Sequence, residues 1–289
     1  MVENMSGLLS GLEQFGLGKL EGMSLFESPK EKAADAKAAA PIMQEQDFIF
    51  DKSHTCPVCD KEFKVKTVKV GKVKLIGSDQ DMRPRYEQID MLKYDVIMCP
   101  YCGYTSLSRY FKFLTGPQMK KIKENICANF KPANKEEKEI YSYDEALERY
   151  KMALVNAIVK QTKASEKAYI CLKTGWLLRG QAEHLKKEEP DYDKKKAEIE
   201  AQENEFLKNA FDGFLAARQS EGFPMCGMDE CTVDYLIAVL AMRFEQFDVA
   251  SKLIASVIVS PGANPRMKDR ARDVKEELVK KIKEKKAAK

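Results

Sequence analysis

The segment Thr55-Cys56-Pro57-Val58-Cys59-Asp60 is answered, 39 residues after Cys59, by Met98-Cys99-Pro100-Tyr101-Cys102-Gly103. Each pair sets two thiols three positions apart in a tight turn, and the two pairs together offer four soft ligands to one tetrahedral ion. Cys56, Cys59, Cys99 and Cys102 are therefore the expected metal ligands, with one Zn2+ per chain. The same four thiolates accept iron in a rubredoxin-like site. A single Cys-x-x-Cys also serves dithiol redox chemistry, but two pairs at once favour a metal. Four thiolates leave no open position for water, so the zinc expected is structural, not catalytic.

Outward from the first knuckle, Phe63, Val65 and Thr67 alternate with Lys64 and Lys66, the pattern of a half-buried strand. Past Gly71, Val73 and Leu75 alternate with Lys72 and Lys74 and predict a second strand. A polar loop over 77–90 then leads into a strand over Tyr94–Met98 that enters the second knuckle. Hairpins delivering knuckles from opposite sides make a zinc ribbon. The 39 intervening residues exceed the usual ~15–20, so the second hairpin and loop must be an insertion between the knuckles.

From about residue 117 the pattern becomes helical. Three segments share one spacing of bulky and small residues: Tyr143/Ala146/Tyr150/Ala153, Leu207/Ala210/Phe214/Ala217 and Phe247/Ala250/Ile254/Val257. Tetratricopeptide-type repeats carry this register on their second helix, where a small residue admits the partner helix. Ser142 and Glu145 form a capping box at the first segment. Intervening helices are expected over 164–185 and 230–244, with a charged capping helix over 265–286. The charged stretch 186–203 and the loop 218–229 absorb irregular repeat spacing. At the other end, Met5, Leu8, Leu9, Leu12 and Phe15 share one helical face.

The fold class predicted is α+β, mainly α: a small β zinc ribbon followed by a tetratricopeptide-like array of antiparallel helix pairs. Its parts are a short amphipathic helix over 1–26, a flexible polar linker over 27–47, the ribbon module over 48–116 and the helical domain over 117–289.

The string Arg83-Pro84-Arg85-Tyr86 through Tyr94-Asp95-Val96, then Cys99-Pro100-Tyr101-Cys102-Gly103-Tyr104, resembles an uncharacterised bacterial family of unknown function. Asp248-Val249-Ala250, Asn264-Pro265-Arg266-Met267-Lys268 and Ala271-Arg272-Asp273 extend the resemblance, which covers roughly residues 48–280. It implies a four-cysteine metal site ahead of a tetratricopeptide-like array, with no established activity. Asp60 stands where such knuckles commonly carry Gly; Asp reaches the left-handed backbone region at modest cost.

Other residues carry weaker signals. His54 lies two positions before Cys56 and competes as a ligand with its plainer role as a solvated strand residue; His184 reads as a surface residue. Cys226 and Cys231 flank a turn and read as free thiols, Cys127 and Cys171 as core, and Trp176 as repeat packing. No metalloprotease, phosphate-loop or nucleophile-elbow motif occurs, so no catalytic residue is expected.

Residues 51–125 hold 15 Lys/Arg against 9 Asp/Glu, a local excess of +6 in a chain of net charge +4. Lys61, Lys64, Lys66, Lys69, Lys72 and Lys74 crowd one strand pair, with Tyr101, Tyr104, Arg109, Tyr110 and Phe111 nearby. Basic strands with exposed aromatics hold single-stranded nucleic acid, and outward lysines also protect a sheet edge from aggregation. With no apolar run long enough to span a membrane and no leader pattern, a reducing cytoplasm is the expected setting. The leading functional expectation is a non-enzymatic scaffold whose array receives a protein or peptide. A nucleic-acid-binding ribbon with a partner-recruiting array is the alternative, and an iron electron carrier a more distant one.

Overall fold

Two antiparallel hairpins carry the knuckles at their turns. Strand β1 (Ile49–Thr55) pairs with β2 (Glu62–Val68) around the first, and β5 (Val96–Met98) pairs with β6 (Thr105–Leu107) around the second. Alternation along β2 turns Phe63 and Val65 inward and Lys64 outward, as the sequence pattern predicts. The structure, a computed structural model, describes residues 43–132, 138–188 and 190–287. Contacts divide the chain into Met1–Met43 and Gln44–Lys289, and the described residues lie almost wholly in the second unit. The amphipathic helix expected over 1–26 and most of the linker expected over 27–47 fall outside the described residues; where the linker ends, Glu45–Phe48 form a 3-10 turn.

The insertion between the knuckles is a third hairpin, β3 (Leu75–Ser78) with β4 (Pro84–Tyr86). Two expectations shift here. The polar loop contains strand β4, and Val70–Lys72 form a 3-10 turn ahead of an entirely exposed β3. Tyr94 likewise closes a 3-10 turn, Met91–Tyr94, before β5 starts at Val96.

The helices are α1 (Gly116–Ile122), α2 (Tyr143–Val159), α3 (Ala164–His184), α4 (Tyr192–Ser220), α5 (Glu230–Arg243), α6 (Phe247–Val259) and α7 (Pro265–Ala287). From α2 onward each packs on the next, so the shape is a mainly α array behind small β hairpins. The predicted small positions, Ala146, Ala153, Ala210, Ala217 and Ala250, are all buried, as are Tyr150, Phe214 and Ile254. Close approach is plain between α3 and α4: a Cβ built on Gly213 would stand 2.8 Å from Cβ of Ala168. Ser142 accepts from the Glu145 amide at 3.2 Å while Glu145 accepts from the Ser142 amide at 2.8 Å, completing the capping box. The stretch 186–203 is a spacer only in part, because α4 begins at Tyr192 and runs 29 residues.

The hairpins and the array share a core. Leu92, Val96 and Leu107 pack with residues of α2 to α7, and the fully buried Tyr150 hydroxyl donates to the Leu92 carbonyl at 3.1 Å. A second cluster surrounds the knuckles, with Val58, Phe63, Val65, Ile97, Tyr104 and Phe111 at its centre.

Candidate metal centre

Each knuckle folds by the same local hydrogen bonds. In the first, the Cys56 amide donates to the Lys61 carbonyl (3.0 Å) and the Asp60 amide to the Cys56 carbonyl (3.0 Å). In the second, Cys99 donates to Tyr104 (2.9 Å) and Gly103 to Cys99 (3.1 Å). Both turns close through a left-handed residue, Asp60 at φ 57° and Gly103 at φ 74°. Asp60 thus does the work of the commoner glycine, as the sequence suggests.

The four sulfurs converge. All lie within 4.8 Å of one another, with Cys56 to Cys102 at 3.6 Å and Cys59 to Cys99 at 3.7 Å. A tetrahedral ion with metal–sulfur bonds of about 2.3 Å requires sulfur–sulfur edges of about 3.8 Å, so the arrangement fits. Cys56 and Cys99 are fully buried and Cys102 nearly so. The Val58 amide donates to the Cys56 sulfur at 3.4 Å, a contact that favours thiolate. The sulfurs of Cys56 and Cys99, then burial, push the Cys102 thiol up, while the neighbouring Cys102 and Cys56 drive Cys99 down. A divalent ion removes this conflict, because its charge lets all four ionise together. Among the described residues no other group of three or more His, Cys, Asp or Glu converges this way.

The surroundings tie the centre to the array. Asn156 of α2, fully buried, donates to the Gly103 carbonyl at 3.2 Å, and the Thr105 hydroxyl donates to the same oxygen at 3.0 Å. Cys127 ends a single π turn, Lys123–Cys127, packs against the knuckle cluster and is pushed up by burial. His54 is no part of the sulfur group; its ring lies 6.3 Å from Phe63 and 6.1 Å from Phe111, and burial followed by Lys52 and Lys112 lowers its pKa.

The insertion is bound to the helices by charge. Arg179 of α3 donates to Asp79 (3.0 Å), to Asp81 (2.7 Å) and to Glu203 of α4 (2.9 Å). Arg83, buried, and Arg85 reach Glu183 of α3 at 3.1 and 2.7 Å. Trp176, expected as repeat packing, is core and donates from its indole to Asp81 at 3.0 Å. The Arg83-Pro84-Arg85 string is thus one half of a clamp whose other half lies nearly a hundred residues on. Asn156, Asp81 and Arg179 carry no local signal in the sequence that marks these roles.

The structure scatters the six lysines. Lys64 and Lys66 face a cleft against α2, where Lys66 meets Asp51 at 3.5 Å. Lys69 donates to the Asp47 carbonyl, Lys74 pairs with Glu87 at 3.3 Å, and Lys61 lies over the Tyr101 ring. Of the neighbouring aromatics, Tyr104 and Phe111 are core. His184 sits at the exposed end of α3, 3.1 Å from the Tyr143 hydroxyl. Cys226 donates to the Ser165 carbonyl and Cys231 to the Ser260 hydroxyl, both at 3.3 Å, and both are free thiols. Cys171 is core, as expected. No helix among the described residues is long and apolar enough to cross a membrane.

A comparison with protein-family models matches residues 49–278 to the family described as "Uncharacterized protein conserved in bacteria (DUF2225)". The match spans most of the chain, and the chain belongs to that family. Searches of the curated proteins and of the solved structures returned no match.

Proposed function

With membership of this bacterial family as the premise, we propose that the protein is a zinc-stabilised interaction scaffold of the cytoplasm, its array receiving an amphipathic segment of a protein partner. The carrying observation is a groove of about 610 Å³ between α2, α3 and α4. Leu154 and Ile158, one turn apart on α2, face Phe206 of α4 across it, with Lys151, Lys167 and Glu205 at its margins. Ile158 is 56 % exposed, so a large aliphatic side chain of α2 stands open at the groove. Apolar anchors at helical spacing beside charged margins suit an amphipathic helix. A tetratricopeptide-like register is consistent with an array that receives a partner segment.

A photo-crosslinking residue placed at Ile158 in growing cells, with Val259 (77 % exposed, on α6) as control, tests the reading. A discrete adduct from position 158 that is absent from position 259 and lost on Leu154→Asp supports it. The same background from both positions, across growth states, overturns it. Zinc as the resident ion is supported by the four-sulfur set. Metal analysis with an absorption spectrum tests it: one zinc and no visible band is expected, and one iron with a red thiolate charge-transfer band makes the protein an electron carrier instead.

A further inference from the structure

The β1–β2 hairpin has a second face, and the groove above makes no use of it. Register sets Lys52 opposite Val65 and His54 opposite Phe63, so these four side chains share one side of the sheet, while Lys64, opposite Ser53, lies on the other. On the first side lies a cleft of about 520 Å³ between the hairpin, the turn after β6 and the inserted hairpin. Its floor is apolar, formed by Val65, Val68, Leu92, Ile97 and Phe111, all buried.

Two features at the mouth are out of place for a protein surface that meets only water. Phe113 is 75 % exposed and Val70 71 % exposed, and both line the cleft. Lys52 and Lys112 line the same cleft, exposed and without a carboxylate partner among the described residues. Lys112 is joined in the chain to Phe111, whose ring meets the His54 ring edge-on, so the hairpin's cationic side and the turn's cationic side face the same space. The acids that line the cleft are already engaged: Asp95 by Lys173 and by the Ser108 hydroxyl, Asp90 by Arg83, the Tyr143 hydroxyl and the Leu92 amide. What remains open is positive charge next to an exposed aromatic face over an apolar floor.

We propose that this cleft binds a nucleotide unit, its phosphate held by Lys52 and Lys112 and its base laid on Phe113 beside Val70. Uncompensated cations attract phosphate oxygens, and an exposed ring stacks any base because every base offers a π face. The ligand is a free nucleotide or one residue of a single strand. The site differs from the lysine stripe that the sequence suggests: it takes none of those six lysines, and its aromatic is Phe113. It is also independent of the partner groove, which lies on the helices.

The test is fluorescence anisotropy with the zinc-loaded full chain at about 50 mM salt. The probe is a labelled single-stranded oligonucleotide of about eight residues, competed in turn by unlabelled oligonucleotide, AMP and inorganic phosphate. Lys52→Glu with Lys112→Glu is expected to weaken probe binding by at least about tenfold, and Phe113→Ala by a similar factor. Lys64→Glu on the opposite face serves as the charge control and is expected to change affinity by less than about twofold. Competition by AMP identifies the free nucleotide as sufficient; competition by the oligonucleotide but not AMP identifies the strand. Absence of binding by any probe overturns the proposal. So does an equal loss in Lys64→Glu, or phosphate competing as well as AMP with Phe113→Ala unchanged. All the substituted side chains are exposed, and unaltered zinc content and melting confirm that each variant is folded.

Discussion

The side-chain amide of Asn156, in the fourth turn of α2, donates at 3.2 Å to the carbonyl of Gly103, the left-handed residue that closes the second knuckle. The first helix of the array thereby holds the backbone next to Cys102 of the four-sulfur cluster, from a fully buried position.

Asn156→Leu keeps the volume and removes the donor. The expected cost is about 1–3 kcal/mol in urea unfolding, since a buried carbonyl loses one of its two partners and keeps only Thr105. Because the lost bond orients a knuckle, zinc affinity measured by chelator competition is expected to fall by about tenfold or more. Unchanged affinity alongside lost stability would reduce Asn156 to a packing residue.

The two left-handed residues respond oppositely to substitution. Asp60→Gly removes a Cβ from φ 57° and is expected to stabilise by up to about 1 kcal/mol. Gly103→Ala adds one at φ 74°, where it would meet the Phe130 ring at 2.5 Å. It is expected to cost at least about 1–2 kcal/mol from backbone strain alone. Thermal melts of the zinc-loaded proteins give both signs, and a destabilised Asp60→Gly would mean the aspartate side chain contributes more than its backbone costs.

Removal of Arg179 takes the cation from buried Asp81, which keeps the Trp176 indole as a donor, and leaves Glu203 to Arg243 alone at 3.1 Å, with an expected cost of about 3 kcal/mol by chemical denaturation. Arg85, more exposed, is worth no more than about 1 kcal/mol, and its contribution depends on pH. Burial opposes ionisation of Asp79 and Glu183, but Arg85 with Arg179 at the first, and Arg85 with Arg83 at the second, outweigh it and hold both below the ordinary carboxylate range. A depressed folded pKa stabilises fully above the unfolded value, about 4, and the stabilisation is lost as pH falls through the folded value. The stability gap between the natural chain and Arg85→Gln is therefore expected at pH 7 and to close below about pH 4. Taken as a difference at each pH, it is free of metal loss common to both proteins. A gap that persists in acid would assign Arg85 to packing.

Thiol labelling separates the eight cysteines. Burial pushes Cys171 up to about 11 and raises Cys226 and Cys127 as well, so these three are expected to react slowly at pH 7. With zinc bound, Cys231 is the expected fast site, and a chelator is expected to release Cys56, Cys59, Cys99 and Cys102 together. Fast labelling of the four without chelator would mean they hold no ion.

The four-sulfur cluster was legible because its signal is local: two thiols and a turn-closing residue within five positions. The buried faces of α2, α4 and α6 were legible for the same reason, through the spacing of Tyr150, Phe214 and Ile254 from their alanines. The rest is long-range. Asp79, Asp81 and Arg83 lie in the stretch that reads as a polar loop, and Arg179 in an expected helix with nothing to mark it; they become a clamp only when the insertion meets α3. Polar residues 192–203 read as spacer because a charged helix face and a charged loop have the same composition; Ile199 and Glu203, both buried, were too sparse to show the face. Strand β6, three residues long and buried throughout, has no alternation to detect.

The clamp and the knuckles have a joint consequence in chain statistics. An ion bound across Cys59 and Cys99 cross-links positions 40 apart, and closing a loop of that length removes about 4 kcal/mol of unfolded-chain entropy in the disulfide analogy. Arg179 and Arg83 fasten the middle of that same loop to α3. Loop closure by such an ion would thus act also on α3, which carries none of the four cysteines, and its removal would slacken the tether on α3 as well as the hairpins.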